Sequence, residues 1–481
     1  MNSKLYINSI YNVLYKVLNV FFPLISASYV SHILLASGVG KIASAQNIAQ
    51  YFIIIASLGL PGYGTREIAK VRDSKEKTNK LFSELFIINL IPTLLCSLVY
   101  YSIVLVLPFF RNNDTLYFIL GLNIVFNVIN VDWYYQGTEE YKYIAVRSFV
   151  IKIVSLFLLF IFVRTENDCN IYATILVATT VGNYVMNIYN LYRKQVRFTN
   201  KNLCINKHIK PVFILLCTTL ATELYTLLDT TMITFMCSEQ SVAYYTNSVK
   251  IVRVLITAVS AIGGVLLPRL SYYKEHNMLN ECNEIVSKVF YSMLFIFLPA
   301  GCGIILVSNE LPVVLFGVTF APSAITLRIV ALLIYTLGVS NLFGTQVLLT
   351  FEQEKKLLIC TIVGAVSNIC MNLFLIPRYQ QNGAAVASVI SELFVTILSY
   401  LFAKKFIKLN LEMKGICISF LGCIGMVLSS VIIDRLTLDS LSCMIVKVLI
   451  CVLVYLFLNI ILKNPIINTV VNIKRKGSKN V

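Results

Sequence analysis

Charge is what this 481-residue sequence has least of: Asp, Glu, Lys and Arg together make 13% of it, about half the share of an ordinary soluble domain. A chain with so few charges cannot coat a water-facing globule, which argues against a soluble enzyme. Histidine occurs only as His32, His208 and His276, and none of the three is assigned a metal role. The thirteen cysteines form no CxxC pair, and an odd, irregularly spaced set argues against a disulfide framework and against structural zinc. Most lie inside apolar runs, as at Cys96, Cys217, Cys302 and Cys370, where cysteine serves as a small apolar residue. A Walker A loop, a zincin helix and a nucleophile elbow are also missing. No cofactor, metal or catalytic residue is therefore expected.

What is abundant is apolar: 58% of residues, with a mean hydropathy of +0.79. Runs of spanning length fall near 7–35, 42–60, 82–108, 115–135, 143–163 and 171–191, then 211–236, 242–267, 285–307, 323–350, 357–376, 383–403, 413–433 and 441–462. The expected fold class is all-α, a polytopic membrane protein of about fourteen helices. The first run, Val13 to Leu35, is too long for a signal-peptide core and should stay as the first span. A basic stretch at 192–210 separates two groups of six spans, and 404–481 holds the last two spans and a basic tail.

With the amino terminus in the cytoplasm, about 28 basic residues fall inside, about 5 outside and about 7 within spans. Both termini are then cytoplasmic. The net charge of +17 follows from this bias, with some attraction to anionic membrane lipid, and no nucleic-acid partner is needed.

Asn8, Asn12, Tyr15, Asn19 and Ser26 share a narrow arc of the first span, with Lys16 on its edge. Thr218, Thr222, Tyr225 and Asp229 repeat that i, i+4, i+7, i+11 spacing in the seventh. In the second and eighth spans Asn47, Gln50 and Ser57 match Lys250, Arg253 and Ser260. Six spans separate the partners, so both copies start from the same side, as in two parallel six-helix lobes. Polar stripes also serve plain helix packing. Four of them on matching helices point instead to a cavity lined by spans 1, 2, 7 and 8.

Helical counting from the turn near Glu239 sets Asp229 level with Lys250, and Glu223 near Arg253. Two readings stand: internal ion pairs, or cations for an anionic headgroup with carboxylates answering to it or to a coupling cation. Lys16 and Arg328 lie within reach of an interface, whereas Lys152, Lys288 and Lys447 read as snorkelling residues. Glu392, mid-span without an evident partner, is a weak candidate for protonation coupling. Pro23 and Pro299 should kink their helices.

The run Pro23-Leu24-Ile25, Gly38-Val39-Gly40, Ala49-Gln50-Tyr51-Phe52, Leu58-Gly59-Leu60 and Tyr63-Gly64-Thr65-Arg66-Glu67-Ile68-Ala69 resembles the Wzx-type polysaccharide flippases. Asp132-Trp133-Tyr134-Tyr135-Gln136-Gly137 with Tyr141-Lys142, then Tyr245-Thr246, Val249-Lys250-Ile251 and Leu267-Pro268-Arg269-Leu270-Ser271, extend the likeness over nearly the whole chain. His32 and Leu35 depart from it, standing where such proteins often read Arg and Gly. The resemblance implies two six-helix lobes of the kind found in multidrug and toxic compound extrusion transporters. It also implies the cargo, an oligosaccharide on an undecaprenyl pyrophosphate carrier, moved to the outer leaflet of a bacterial cytoplasmic membrane for O-antigen or capsule synthesis.

On that basis Lys16, Lys250, Arg253 and, in second place, Arg328 are assigned to the pyrophosphate. Asn12, Tyr15, Asn19, Asn47, Gln50, Thr222 and Tyr225 are assigned to sugar hydroxyls, and Glu223, Asp229 and Glu392 to coupling or ion pairing. Polymerase and chain-length proteins of the same pathway are the expected protein partners. A multidrug antiporter on the same fold would want an acidic or aromatic cavity, and a polymerase or ligase would want a large external loop bearing catalytic groups.

Overall fold

The computed structural model describes residues 3–199 and 203–467; within the helices the described side chains exclude 3–10, 12–14, 16–18, 20, 221–222, 224–225 and 258–265. The described chain is helices joined by turns and short irregular segments, with no strand among the described residues. In order they are α1 (Ser3–Ser57), α2 (Leu60–Val71), α3 (Lys75–Val106), α4 (Asp114–Phe126), α5 (Asp132–Gly137), α6 (Tyr141–Phe162), α7 (Cys169–Arg193) and α8 (Asn206–Met236). Then follow α9 (Glu239–Glu275), α10 (Leu279–Leu306), α11 (Leu311–Phe316), α12 (Ser323–Val330), α13 (Leu333–Ser340), α14 (Glu354–Ala403), α15 (Met413–Ile433) and α16 (Ser440–Ile461).

Among the described residues nine helical segments are long and apolar enough to cross a membrane; Glu354–Ala403 contains two of the expected spans, and Phe21–Val71 contains the second and the end of the first. The expected seventh and eighth spans are α8 and α9, of 31 and 37 residues. Leu94, Leu95 and Leu98 of α3 are 57%, 58% and 68% exposed. Apolar side chains this bare are stable only against lipid. The chain is a multi-pass membrane protein.

It divides into two compact units, Met1–Ala243 and Tyr244–Val481. In the first, α2 and α5 pack together over a core of Leu60, Tyr63, Ile68, Phe82, Trp133 and Tyr135. Gly59 begins α2 at φ 72°, and a Cβ there would lie 2.8 Å from the Leu216 backbone nitrogen. Only glycine lets the chain turn this tightly against α8.

Two helices differ from the expected spans. The fourth span breaks after Phe126 into a short 3-10 turn, Asn127–Ile129, before α5. Asn89 Nδ2 donates to the Asn127 carbonyl at 2.9 Å, Trp133 Nε1 to the Asn130 carbonyl at 3.1 Å, and Ser57 Oγ to Asn127 Oδ1 at 3.3 Å. Side chains thus satisfy the backbone that the break frees, which a membrane demands. The tenth span is α12, α13 and a π-helical stretch, Asn341–Leu348.

In the second unit the α15–α16 hairpin packs on α10. Tyr455 Oη donates to the Phe295 carbonyl at 2.7 Å, and Tyr291 Oη to Asn464 Oδ1 at 2.5 Å. Lys447 does not snorkel: it is 1% exposed, with Nζ 2.6 Å from Asp434 Oδ1 and 2.7 Å from Glu310 Oε1. Two carboxylates neutralise it within the protein, so its stem has no need to reach water.

Candidate functional site

The first unit gathers its polar side chains along α1. Lys152 lies on α6 eleven residues beyond Tyr141, about 16 Å along the helix and near the middle of a hydrocarbon layer about 30 Å thick. Its ammonium donates to Asn19 Oδ1 and stands 5.5 Å from the Phe22 ring centre. A lysine so deep is out of reach of either interface, which overturns the snorkelling expectation. Counting from the helix start was enough to reveal this. Asn19 therefore belongs to a cation-bearing group, while Tyr15 packs half-buried against the aromatic core.

Further along α1, Asn47 is buried and donates from Nδ2 to Thr231 Oγ1 at 2.7 Å, where the Tyr51 hydroxyl also meets Thr231 at 2.7 Å. Thr234 Oγ1 donates to Ser44 Oγ at 3.1 Å, and Asp229 is buried on the same helix, α8. This part of the stripe binds helix to helix. Gln50 is exposed, and Glu223, half-buried, accepts from Thr226 Oγ1 at 3.2 Å. The side chains of Asn12, Lys16, Thr222 and Tyr225 lie outside the described residues.

In the second unit, Lys250 Nζ donates to Asn247 Oδ1 at 3.1 Å, and Arg253 is exposed. Arg328 reaches the segment after α10, donating to Ser308 Oγ at 2.6 Å and Asn309 Oδ1 at 2.5 Å. It fastens a loop. Glu392 is 4% exposed and accepts from Ser340 Oγ at 2.6 Å, the last residue before the π-helical stretch. The sequence suggested no partner for it; the partner comes from the tenth span.

Two buried ionic groups in the first unit escaped the sequence reading. Arg147, 3% exposed, donates to Asp132 Oδ1 at 3.0 Å and to Asn187 Oδ1, while Asn187 Nδ2 reaches Asp132 Oδ1 at 2.7 Å. Near the start of α3, Glu84 Oε2 meets His208 Nε2 at 2.9 Å, and His208 Nδ1 meets the Tyr63 hydroxyl at 2.6 Å. Lone ionisable residues one or two turns inside apolar runs were the available signal. Outside the spans, Asp168 accepts the backbone N–H of Arg164 at 2.8 Å and of Thr165 at 2.7 Å. These bonds hold its carboxyl below the usual range.

Nine apolar spanning segments among the described residues, with buried polar and ionic groups between them, define a multi-pass all-α membrane protein of the transporter class. Solved structures agree on the fold. A lipid II flippase, MurJ, in an inward closed conformation superposes with a TM-score of 0.75 at 15% identity, covering 96% of this chain and 100% of that one. A multidrug resistance MATE family transporter in an inward-facing conformation gives 0.63 at 15% identity, over 82% of this chain and 97% of that one. Among curated sequences, a putative O-antigen transporter of Shigella dysenteriae is 26% identical over 407 residues, 81% of this chain and 96% of the relative. The polysaccharide biosynthesis protein family matches residues 5–274, and the chain belongs to that family.

Proposed function

We propose that the protein is a flippase that moves undecaprenyl-pyrophosphate-linked oligosaccharide repeat units from the cytoplasmic to the outer leaflet by alternating access, for O-antigen, capsule or exopolysaccharide synthesis. The observation that carries this reading is Lys152 held on Asn19 at mid-membrane depth, in a chain of the polysaccharide biosynthesis family. An uncompensated intramembrane ammonium is costly unless an anion visits it. Lys152 joins Lys16, Lys250 and Arg253 as contacts for the pyrophosphate. Asn12, Tyr15, Asn19, Gln50, Thr222 and Tyr225 serve the sugars; Asn47, already bonded to Thr231, serves them less directly. Arg328, tied to Ser308 and Asn309, is the weakest of the anion contacts.

Residues 1–191 and 211–403 act as the two lobes, joined by the basic linker 192–210, with 404–481 appended. The membrane is the bacterial cytoplasmic one and both termini are cytoplasmic, as the charge bias favours. Outward movement of an anion gains about 2.3 kcal/mol per charge per 100 mV of inside-negative potential. Glu223, Asp229 and Glu392 are the carboxylates for any returning cation, and polymerase and chain-length proteins receive the product.

The test is deletion of the gene, with analysis of surface glycan and carrier-linked oligosaccharide, and complementation by wild type, Lys250→Ala and Arg253→Ala. Loss of surface polymer with repeat units trapped on the cytoplasmic leaflet is expected, with neither variant restoring it. Normal polymer with raised drug sensitivity would move the protein to the multidrug branch.

A further inference from the structure

The first unit contains a cavity of about 320 Å³ at the end that the charge bias puts outside, formed by α1, the 3-10 turn Pro108–Asn113, α4, α8 and the start of α9. Its volume lies at the lower end of the range for ligand pockets, about 300–1,000 Å³. Next to Lys41, a Cβ on Gly40 would lie 1.8 Å from the Glu239 carbonyl oxygen, so α1 and the start of α9 meet backbone to backbone beside the cavity. That close contact fixes the spacing of two of the cavity's walls, and fixed spacing favours a preorganised site.

Its lining decides the class of ligand. Lys41 Nζ stands 3.8 Å from Glu239 Oε2, and Asn113 Nδ2 donates to Glu239 Oε1 at 3.4 Å. The one ammonium is therefore matched by one carboxylate, which leaves no excess charge for a pyrophosphate. At 3.8 Å the pair is too long for a good hydrogen bond, so Lys41 keeps donors to spare. The Asn112 side chain is exposed and makes no hydrogen bond among the described residues. Phe109, 44% exposed, is braced by the Phe235 ring at 4.8 Å. Amide and ammonium donors, a carboxylate acceptor and one braced aromatic face are what the hydroxyls and C–H face of a sugar ring require.

We propose that this cavity is a carbohydrate subsite for one or two uncharged sugar rings, used when the glycan arrives on the outer side. The proposal rests on the flippase reading for its cargo and its orientation. A hold available on one side only supplies differential affinity, the sole means by which a ligand can bias a two-state transporter.

The experiment uses the full-length protein in nanodiscs and, as probe, the oligosaccharide freed from the host's carrier lipid by mild acid. Binding is followed by saturation-transfer NMR and titration for wild type, Phe109→Leu and Asn112→Ala, and flipping of the intact carrier-linked glycan is measured on the same preparations. Saturable binding is expected, weakened about fivefold or more in each variant at unchanged Tm, without competition from inorganic pyrophosphate. Binding unaffected by both variants, competition by pyrophosphate, or no binding by a wild type that flips its cargo would each overturn the subsite and leave the flippase reading intact. A wild type that binds the free glycan through Phe109 and Asn112 yet flips nothing would refute the flippase reading and retain the subsite.

Discussion

The Ser83 hydroxyl accepts the Thr199 backbone N–H at 2.9 Å, pinning the segment after α7 to the first turns of α3. One turn back, Asn79 accepts from the Arg197 N–H at 3.3 Å. The second unit repeats the device: Asn283 and Ser287 of α10 accept from the backbone N–H groups of Lys408 and Asn410 at 2.8 and 2.9 Å. The helix spacing i, i+4 and the strap spacing i, i+2 coincide in the two copies. An internal repeat thus shows in hydrogen bonding as well as in polar stripes. Ser83→Ala and Ser287→Ala should each cost about 1 kcal/mol. Thermal unfolding checks the magnitude, and limited proteolysis should show faster cutting of the strap in the affected unit alone.

Arg147 and Asp132 form a pair whose arginine side chain is 2% and whose aspartate is 26% exposed. Removing one partner of a buried pair costs about 3–5 kcal/mol, and the part-exposed aspartate places this pair at the lower end. Arg147→Met should therefore lose about 3 kcal/mol, while adding Asp132→Asn should recover part of it, giving a coupling of about 1–2 kcal/mol. Strictly additive losses in chemical denaturation would show that the two charges do not support each other.

Lys152 separates a transport role from a structural one. Methionine fills a similar volume and removes a desolvated charge, so Lys152→Met should leave stability unchanged or raised by about 1 kcal/mol. Transport of a pyrophosphate-linked cargo should fall about tenfold or more, and Lys152→Arg should retain much of it. Complementation of the deletion strain, together with Tm, gives both readings. Full transport by the methionine variant would remove Lys152 from the anion path.

Span positions were legible because lipid imposes one rule on every residue along a helix: about 20 apolar positions in a row. That rule carried the fold. It failed where tertiary partners override local pattern. The break after Phe126 depends on Asn89 and Ser57, which meet Asn127 from 38 and 70 residues away. Lys447 looked like an interface lysine because one of its carboxylates, Glu310, is 137 residues distant and the other, Asp434, meets it only once the α15–α16 hairpin closes. The site was legible as residue types and not as partners: Asn47 reads as a sugar contact on the helical wheel, yet Thr231 already occupies its amide. Lys152 was the reverse case, since depth along α6 was countable and only its bond to Asn19 needed coordinates.

Leu35 interrupts α1 at φ 56°, ψ −176°, a backbone conformation open almost only to glycine and costing other residues about 1–3 kcal/mol. The geometry gives leucine a physical cost at this position. In an ordinary helix interior, alanine is more stable than glycine by about 1 kcal/mol. At position 35 the order should invert. Leu35→Gly and Leu35→Ala both lose the half-buried leucine side chain, but only glycine relieves the backbone, so Leu35→Gly should exceed Leu35→Ala by about 1–2 kcal/mol. Paired thermal unfolding of the two variants in one detergent decides it. An alanine variant equal to or above the glycine variant would mean that residue 35 relaxes into the helix, and that packing on either side, not backbone conformation, sets the break between the first two spans.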